Sequence, residues 1–161
     1  MRRLMDRLQQ LLEWILIGLL SVLIAFVALQ IMSRQTTFVP TFMWTEEIAR
    51  FCFVWLILIG SAVAVREGMH FDIDLLPPRL SPKIRTRLSI LTYLLMLVVG
   101  LVFIRYGTAF FLFGKDLTAE ISDIPLGIVF IAWPLAGTVW SMFLIEKIHD
   151  ALRLQRGAPK L

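Results

Sequence analysis

The chain has 161 residues, of which 58% are hydrophobic and 17% are charged. A soluble domain is roughly 45–50% apolar, and a soluble chain this short has too large a surface to bury the excess. The net charge of +4 does not indicate nucleic-acid binding either, because the basic residues form short clusters beside apolar runs, as in membrane proteins.

Four apolar runs predict an all-α membrane protein. Crossing about 30 Å of hydrocarbon takes roughly 20 helical residues, and a helix satisfies its own backbone groups. We expect one membrane domain over residues 1–161, with tilted spans at about 11–32, 46–66, 88–113 and 124–146. Pro125 is expected to open the fourth helix, and Pro134 to kink it.

The first run is interpreted as an uncleaved helix. A cleaved signal peptide is the alternative, but its apolar region is usually about 7–15 residues long, and this run is longer. Before the run, Leu4, Leu8 and Leu11 share one helix face. This spacing predicts that the first ten residues lie along the membrane surface before the chain turns inward.

Lysine and arginine residues predict the orientation. Twelve of them lie in the N-terminal segment, the middle connection and the C-terminal tail. The first connection contains one basic residue, Arg34, and the last connection also contains one, Lys115. Because cytoplasmic segments are rich in Lys and Arg, both termini are predicted to be cytoplasmic.

The segment from Trp44 to Arg50 carries the most informative polar residues. Trp44 is typical of an interfacial anchor, and Thr45 is predicted to be the N-cap of the second helix. Glu46 and Glu47 would then lie in the first turn, with Arg50 on the same face. Two interpretations remain open: local ion pairs at a helix start, or a polar face that contacts another subunit.

Arg105 lies inside the third run, eight residues before Phe113 and therefore about 12 Å from that end. An arginine at the centre of a spanning helix costs roughly 2.5–3.5 kcal/mol on insertion scales. One hypothesis is an internal salt bridge with Glu46 or Glu47. The other is a contact with a partner protein or a lipid headgroup.

A charged segment begins with Arg66, at the predicted cytoplasmic end of the second helix. His70, Asp72 and Asp74 follow at alternating positions, but no further His or Cys supports a metal site. We therefore predict no metal and no cofactor. Arg66 and His70 are expected to stabilise the helix end and to contact neighbouring protein.

Small residues allow membrane helices to approach closely. Gly60, Ala64 and Gly68 recur every four residues on the second helix, and we predict that they mediate helix packing. Weaker spacings of this kind occur on the third and fourth helices, at Gly100, Gly107, Gly137 and Ser141.

Catalytic patterns are missing from the sequence. It contains no G-x-S-x-G, Walker or H-E-x-x-H motif, and its two histidines, His70 and His149, both lie on the predicted cytoplasmic side. No nucleophile stands beside a suitable base. We therefore do not predict an enzyme.

Several motifs resemble one family of transport proteins. They are W-T-E-E-I-A-R at 44–50, F-V-W-L at 53–56, G-S-A at 60–62 and R-E-G-M-H-F-D-I-D-L-L at 66–76. In order and spacing they are similar to the small membrane subunit of tripartite ATP-independent periplasmic (TRAP) transporters. The four-span layout with both ends inside resembles the same family.

The resemblance implies a function. Such transporters take up organic acids, among them dicarboxylates and sialic acid, across the bacterial inner membrane by sodium symport. A periplasmic binding protein delivers the substrate, and a large membrane subunit holds the substrate and ion sites. The small subunit binds the large one as a scaffold and helps to dock the binding protein, while membrane lipids surround both.

An autonomous small transporter or channel is the alternative. Small multidrug exporters also have four spans, with a glutamate in the first, and Glu13 invites that comparison. Glu13, however, lies only two residues into the first run. A proton-coupled site is expected nearer the middle of the membrane.

Overall fold

A computed structural model of the chain describes residues 2–35, 42–68 and 82–155. The described elements are α1 (Arg2–Gln35), α2 (Trp44–Glu67), α3 (Pro82–Gly114), α4 (Gly127–Phe130) and α5 (Ala132–Gln155). In these ranges β-pairing is limited to an isolated bridge between Thr118 and Pro125. The prediction of an all-α protein with four helices long and apolar enough to span a membrane is confirmed.

The start of α1 differs from the prediction. The helix is continuous from Arg2 to Gln35, so the described chain does not turn inward after a surface segment. Leu4 and Leu11 are exposed, whereas Met5 and Leu12 are buried against α2 and α5. The packed face begins in the first turns of α1, and the tertiary contacts of Met5 hold this segment in line with the rest of the helix.

The central pair of the bundle consists of α2 and α5. Helix α1 packs along α2, and α3 packs along α5, so that α1 and α3 form the two flanks. One core cluster joins α1, α2 and α5 around Ile59, Val63 and Phe143. A second cluster joins α2 and α5 around Leu58 and Ala136. The flanking helices consequently leave most of their apolar surface outside the bundle.

The fourth predicted span is interrupted at Ile131, between α4 and α5. Pro134 has no N–H to donate to the carbonyl four residues earlier, and its ring crowds that carbonyl. Beside the interruption, the Trp55 indole N–H donates to the Ile128 carbonyl at 3.1 Å. The interruption thus lies three residues before Pro134, the residue expected to kink the helix, and Pro125 lies two residues before the first residue of α4.

The bundle has two ends, each named after one of its residues. The Arg66 end contains the starts of α1 and α3 and the C-terminal parts of α2 and α5. The Glu47 end contains the start of α2, the end of α3 and the connection from residue 115 to residue 126.

Candidate functional site

The first turn of α2 places Glu46 and Arg50 together at the Glu47 end. The Arg50 guanidinium donates to Glu46 across 3.4 Å, with side chains 67% and 60% exposed, respectively. The predicted i,i+4 pair is therefore present. At such exposure an ion pair contributes only about 0.2–1 kcal/mol, so it does little to hold the fold.

Thr45 does not cap α2 as predicted. The helix begins at Trp44, two residues earlier than a Thr45 cap implies, and no side chain caps its first turn. The Thr45 hydroxyl instead donates to the Phe42 carbonyl at 2.6 Å, and the residue is buried. A threonine hydroxyl can bond a backbone carbonyl that precedes it as readily as a backbone N–H that follows it. The buried Thr45 bonds the preceding carbonyl.

Glu47 joins α2 to the connection that follows α3. Its two carboxylate oxygens accept the backbone N–H groups of Ile121 and Ser122 at 3.2 and 2.8 Å. Glu47 therefore bonds to a different part of the chain from Glu46, whose partner is Arg50. The bonds of Glu47 fasten α2 to the turn through which the chain returns from α3 to α5.

Trp44 lies between the Glu47 ends of α1 and α2. Its ring contacts Phe26 edge-on at 5.8 Å between centroids and lies 5.9 Å from the ring of Phe42. The side chain packs against α1 but remains 39% exposed. An amphipathic ring in this position is typical of a residue near a membrane interface.

Arg66 is the centre of a cluster at the other end of the bundle. Its guanidinium donates to the Met5 carbonyl and to the Asp6 carboxylate, both on α1. Its Nε lies 3.7 Å from a Glu146 oxygen on α5, and its charge lies 5.1 Å from the centre of the Phe143 ring. The side chain is only 12% exposed. One arginine thereby links three helices.

A small open pocket of about 240 Å³ adjoins this cluster. Its lining side chains all carry charge: Asp6, Arg66, Glu146, Lys147 and Asp150. Within this lining, Arg66 pairs with Asp6 and with Glu146. In the described ranges no group of three or more His, Cys, Asp or Glu side chains is arranged to hold a metal ion.

Arg105 has no ion-pair partner among the residues that the structure describes. Its side chain is exposed on α3. Glu46 and Glu47, the partners considered from the sequence, are bonded to Arg50 and to the connection after α3, respectively. The hypothesis of an internal salt bridge with either glutamate therefore finds no support in the structure.

The predicted small-residue face of α2 is not where the helices approach most closely. A Cβ added at Gly60 would meet only Leu16, at an ordinary 3.8 Å. Gly68 ends α2 in the left-handed conformation, with φ of 81°, and its N–H donates to the Ala64 carbonyl. Ala64 is half-buried. Gly60 therefore makes an ordinary contact with α1, and Gly68 serves as a helix cap.

Among the glycines of the described residues, the closest approach of two backbones occurs between α3 and α5. A Cβ at Gly137 would lie 2.6 Å from the Gly100 carbonyl oxygen and 2.8 Å from Phe103 Cβ. A Cβ at Gly107 would lie 2.8 Å from the backbone of Pro134. These glycines let two backbones touch, as small residues do in membrane bundles. Their spacing was visible in the sequence, but their partner helix was not.

His70 lies outside the described residues, together with most of the motif that begins at Arg66. Glu13 accepts a hydrogen bond from Gln9 at 2.7 Å, and the same Gln9 amide lies 3.5 Å from Glu67. Glu13 is thus part of the Arg66 end. Its position does not resemble a proton-coupled site in the middle of a membrane.

Asp6 and Glu146 are the residues that sequence reasoning missed. Both pair with Arg66, although Asp6 precedes it by 60 residues and lies on another helix. A search for acidic residues near the ends of the first and fourth runs, on the same side as Arg66, would have identified both as candidates.

Comparison with known proteins identifies a family that matches most of the chain. The family model described as "Tripartite ATP-independent periplasmic transporters, DctQ component" matches residues 23–154. A protein of Haemophilus influenzae named as a TRAP transporter small permease protein is 29% identical over 152 residues, which cover 94% of each chain. The sialic acid TRAP transporter small permease protein SiaQ of Vibrio cholerae is 27% identical, over 90% of this chain and 83% of its own length.

A further relative is much longer. The sialic acid TRAP transporter permease protein SiaT of Haemophilus influenzae is 36% identical over 107 residues. The match covers 64% of this chain but only 17% of SiaT. A sequence similar to this chain therefore occurs as a minor part of a much larger permease protein.

Proposed function

Because this chain belongs to the DctQ component family of tripartite ATP-independent periplasmic transporters, and is thus a small TRAP permease subunit, we propose that it acts as a scaffold for a large permease subunit. The observation that carries this proposal is the match to SiaT, in which a similar sequence is part of a larger permease polypeptide. Two proteins that occur fused in one organism are natural partners when they are separate.

The distribution of charge supports a scaffold rather than a conduit. Arg50 and Arg105 are the only charged residues in the apolar stretches between Trp14 and Ser33, Ile48 and Val65, Leu88 and Phe113, and Ile124 and Ile145. Sites for coupling ions and substrates in secondary transporters lie near the middle of the membrane and need polar groups there. The large subunit is the better place for such sites.

The transported substrates are proposed to be organic acids, such as dicarboxylates or sialic acid, taken up with sodium. The relatives named for sialic acid support this class. A periplasmic binding protein would deliver the substrate. The exposed acidic side chains at the Glu47 end, Glu46, Asp116, Glu120 and Asp123, outnumber the exposed basic ones there, Arg50 and Lys115, and offer that protein a polar surface with an excess of acidic groups.

Orientation is part of the proposal. With the Arg66 end in the bacterial cytoplasm, the twelve clustered basic residues lie inside and the Glu47 end faces the periplasm. Reporter domains fused after residue 35 and after residue 155 test this arrangement. A periplasm-active enzyme is expected to work only at the first position, and the reverse pattern would exclude both cytoplasmic termini.

Copurification and transport test the function itself. The chain is expressed with a candidate large subunit, and each is also purified alone and placed in liposomes. We expect a stable one-to-one complex and sodium-driven uptake only when both subunits and the binding protein are present. Uptake by the small chain alone would instead support the autonomous transporter.

The first turn of α2 offers a more local test. Charge reversal at Arg50 is expected to weaken assembly or uptake more than the same change at Arg34, because Arg50 belongs to the polar face of α2. Arg34 is also exposed but lies at the end of α1. Equal behaviour of the two variants would exclude a role of this face in the interface.

A further inference from the structure

One face of α3 points away from the rest of the bundle. It contains Leu94, Leu95, Val98, Leu101, Arg105 and Leu112, and it is called the Arg105 face. Its five apolar side chains are between 46% and 62% exposed. In the described structure, no other element of the chain covers this face.

The packing of α3 explains why the Arg105 face is open. Gly100 and Gly107 turn the opposite side of α3 towards α5, where the two backbones touch. At 3.6 residues per turn, Arg105 lies about 140° around the helix from Gly100 and about 160° from Gly107. The glycine contact and the Arg105 face are thus on opposite sides of the same helix.

Lipid tails alone would leave the charge of Arg105 without a partner. Arg105 lies nine residues before Gly114, hence about 13 Å from that end of the helix. Apolar side chains surround it on the Arg105 face, and it has no ion-pair partner in the described parts of the chain. A guanidinium in this position lowers its free energy most by pairing with a carboxylate, which it binds through two parallel hydrogen bonds.

The other flank of the bundle offers a contrast. Helix α1 is also largely exposed, but it contains no charged residue from Trp14 to Ser33. Ile24 is 59% exposed and Ile31 is 54% exposed. Lipid tails solvate an uncharged apolar surface well, so α1 does not require a protein neighbour.

We propose that the Arg105 face binds the large permease subunit, and that Arg105 pairs with a carboxylate on a membrane helix of that subunit. The inference rests on the proposed function, because it takes the large subunit as the partner. It adds the surface of contact and the chemistry of the partner residue. The complementary charge is required because Arg105 is the only charged group on this face.

Photo-crosslinking tests the surface without disturbing Arg105. A photoreactive amino acid replaces Val98 or Leu112 on the Arg105 face and, as matched controls, Ile24 or Ile31 on α1. The members of each pair are equally exposed, at 58% and 59% for Val98 and Ile24 and at 54% for both Leu112 and Ile31. In the copurified complex, we expect crosslinks to the large subunit at least five-fold stronger from α3 than from α1. Equal crosslinking, or crosslinking from α1 alone, would overturn the proposal.

Substitution of Arg105 tests the ion pair. Arg105→Gln is expected to reduce the amount of large subunit retained during purification at least ten-fold, whereas Arg105→Lys is expected to retain more. Arg34→Gln removes an exposed cation from α1 and serves as the control. If Arg105→Gln retains the large subunit but loses a bound anionic phospholipid in native mass spectrometry, Arg105 binds lipid and the proposal is wrong.

These outcomes separate the two levels of the proposal. A parent chain that copurifies with no large subunit contradicts the proposed function itself. A parent complex that forms normally, but crosslinks only through α1, contradicts the assignment of the Arg105 face and leaves the scaffold function standing.

Discussion

Arg66 and Arg105 are arginines near opposite ends of the bundle, and they differ in exposure and in ion-pair partners. Arg66 is 12% exposed and binds the Met5 carbonyl, Asp6 and Glu146. Arg105 is exposed and has no ion-pair partner in the described residues. The chain therefore pairs the buried Arg66 with its own acidic groups, whereas the exposed Arg105 is left to pair with groups outside the chain.

The difference separates the roles of the two regions. At the Arg66 end, three helices contribute charged groups to one cluster, which holds the subunit together. The Arg105 face of α3 contains a single charged residue and, in the described structure, contacts no other helix. The first region is expected to govern the stability of the isolated chain, and the second to govern its association. The following substitutions test this division.

Arg66→Met is expected to have the largest effect on the isolated chain. It leaves Asp6 and Glu146 without their cation, and we expect a loss of about 2–4 kcal/mol in the free energy of unfolding. The measurement is unfolding in detergent micelles. Arg34→Met, which removes an exposed cation from α1, is expected to cost less than about 0.5 kcal/mol. Equal losses would mean that the cluster does not stabilise the bundle.

Gly137→Ala is expected to have the next largest effect, a loss of about 1–3 kcal/mol in the free energy of unfolding. The added Cβ would lie 2.6 Å from the Gly100 carbonyl oxygen, so α3 and α5 must separate. Gly18→Ala is the control, because nothing lies within 4 Å of a Cβ there, and we expect no loss of stability. The same unfolding assay applies. A harmless Gly137→Ala would show that α3 is not held by backbone contact.

Glu47→Ala is expected to loosen the connection that follows α3, because it removes the acceptor of two backbone N–H groups. Hydrogen exchange at Ile121 and Ser122 measures the effect directly, and both amides should lose protection. Glu46→Ala breaks only an exposed ion pair and is expected to leave these amides unchanged. Loss of protection in both variants would point to disruption of the whole turn.

Arg105→Gln is expected to have the smallest effect on the isolated chain, within about 0.5 kcal/mol. No group of the described chain loses a partner when the charge is removed. The detergent unfolding assay used for Arg66→Met makes the two arginines directly comparable. A loss as large as that of Arg66→Met would reveal an internal role for Arg105 and remove the contrast between the two regions.

Local features of the fold followed from the sequence. Apolar run lengths predicted four spanning helices, and the four-residue spacing of Glu46 and Arg50 predicted their ion pair. The lack of an N–H in Pro134 predicted a disturbed helix. Each of these depends on residues within about one helical turn of one another, or on composition alone, so no knowledge of the tertiary arrangement was needed.

Contacts between distant segments did not follow from the sequence. Asp6 and Arg66 are 60 residues apart, and their pairing depends on α1 packing beside α2. The contact of Gly137 with Gly100 likewise depends on α5 lying against α3. Thr45 was assigned the wrong bond because a threonine near a helix start has backbone partners on both sides. Periodicity identifies a face but not the helix that covers it.

The hydrogen bonds of Glu47 also have a consequence for the order of assembly during synthesis. Glu47 accepts the N–H of Ser122, which follows it by 75 residues. At about 5–20 residues per second, the ribosome needs roughly 4–15 s to add that length of chain. Throughout this interval, α2 and then α3 emerge while the carboxylate has no amide partner. The connection can close onto α2 only afterwards, so this contact joins the two halves of the subunit at a late step of its biogenesis.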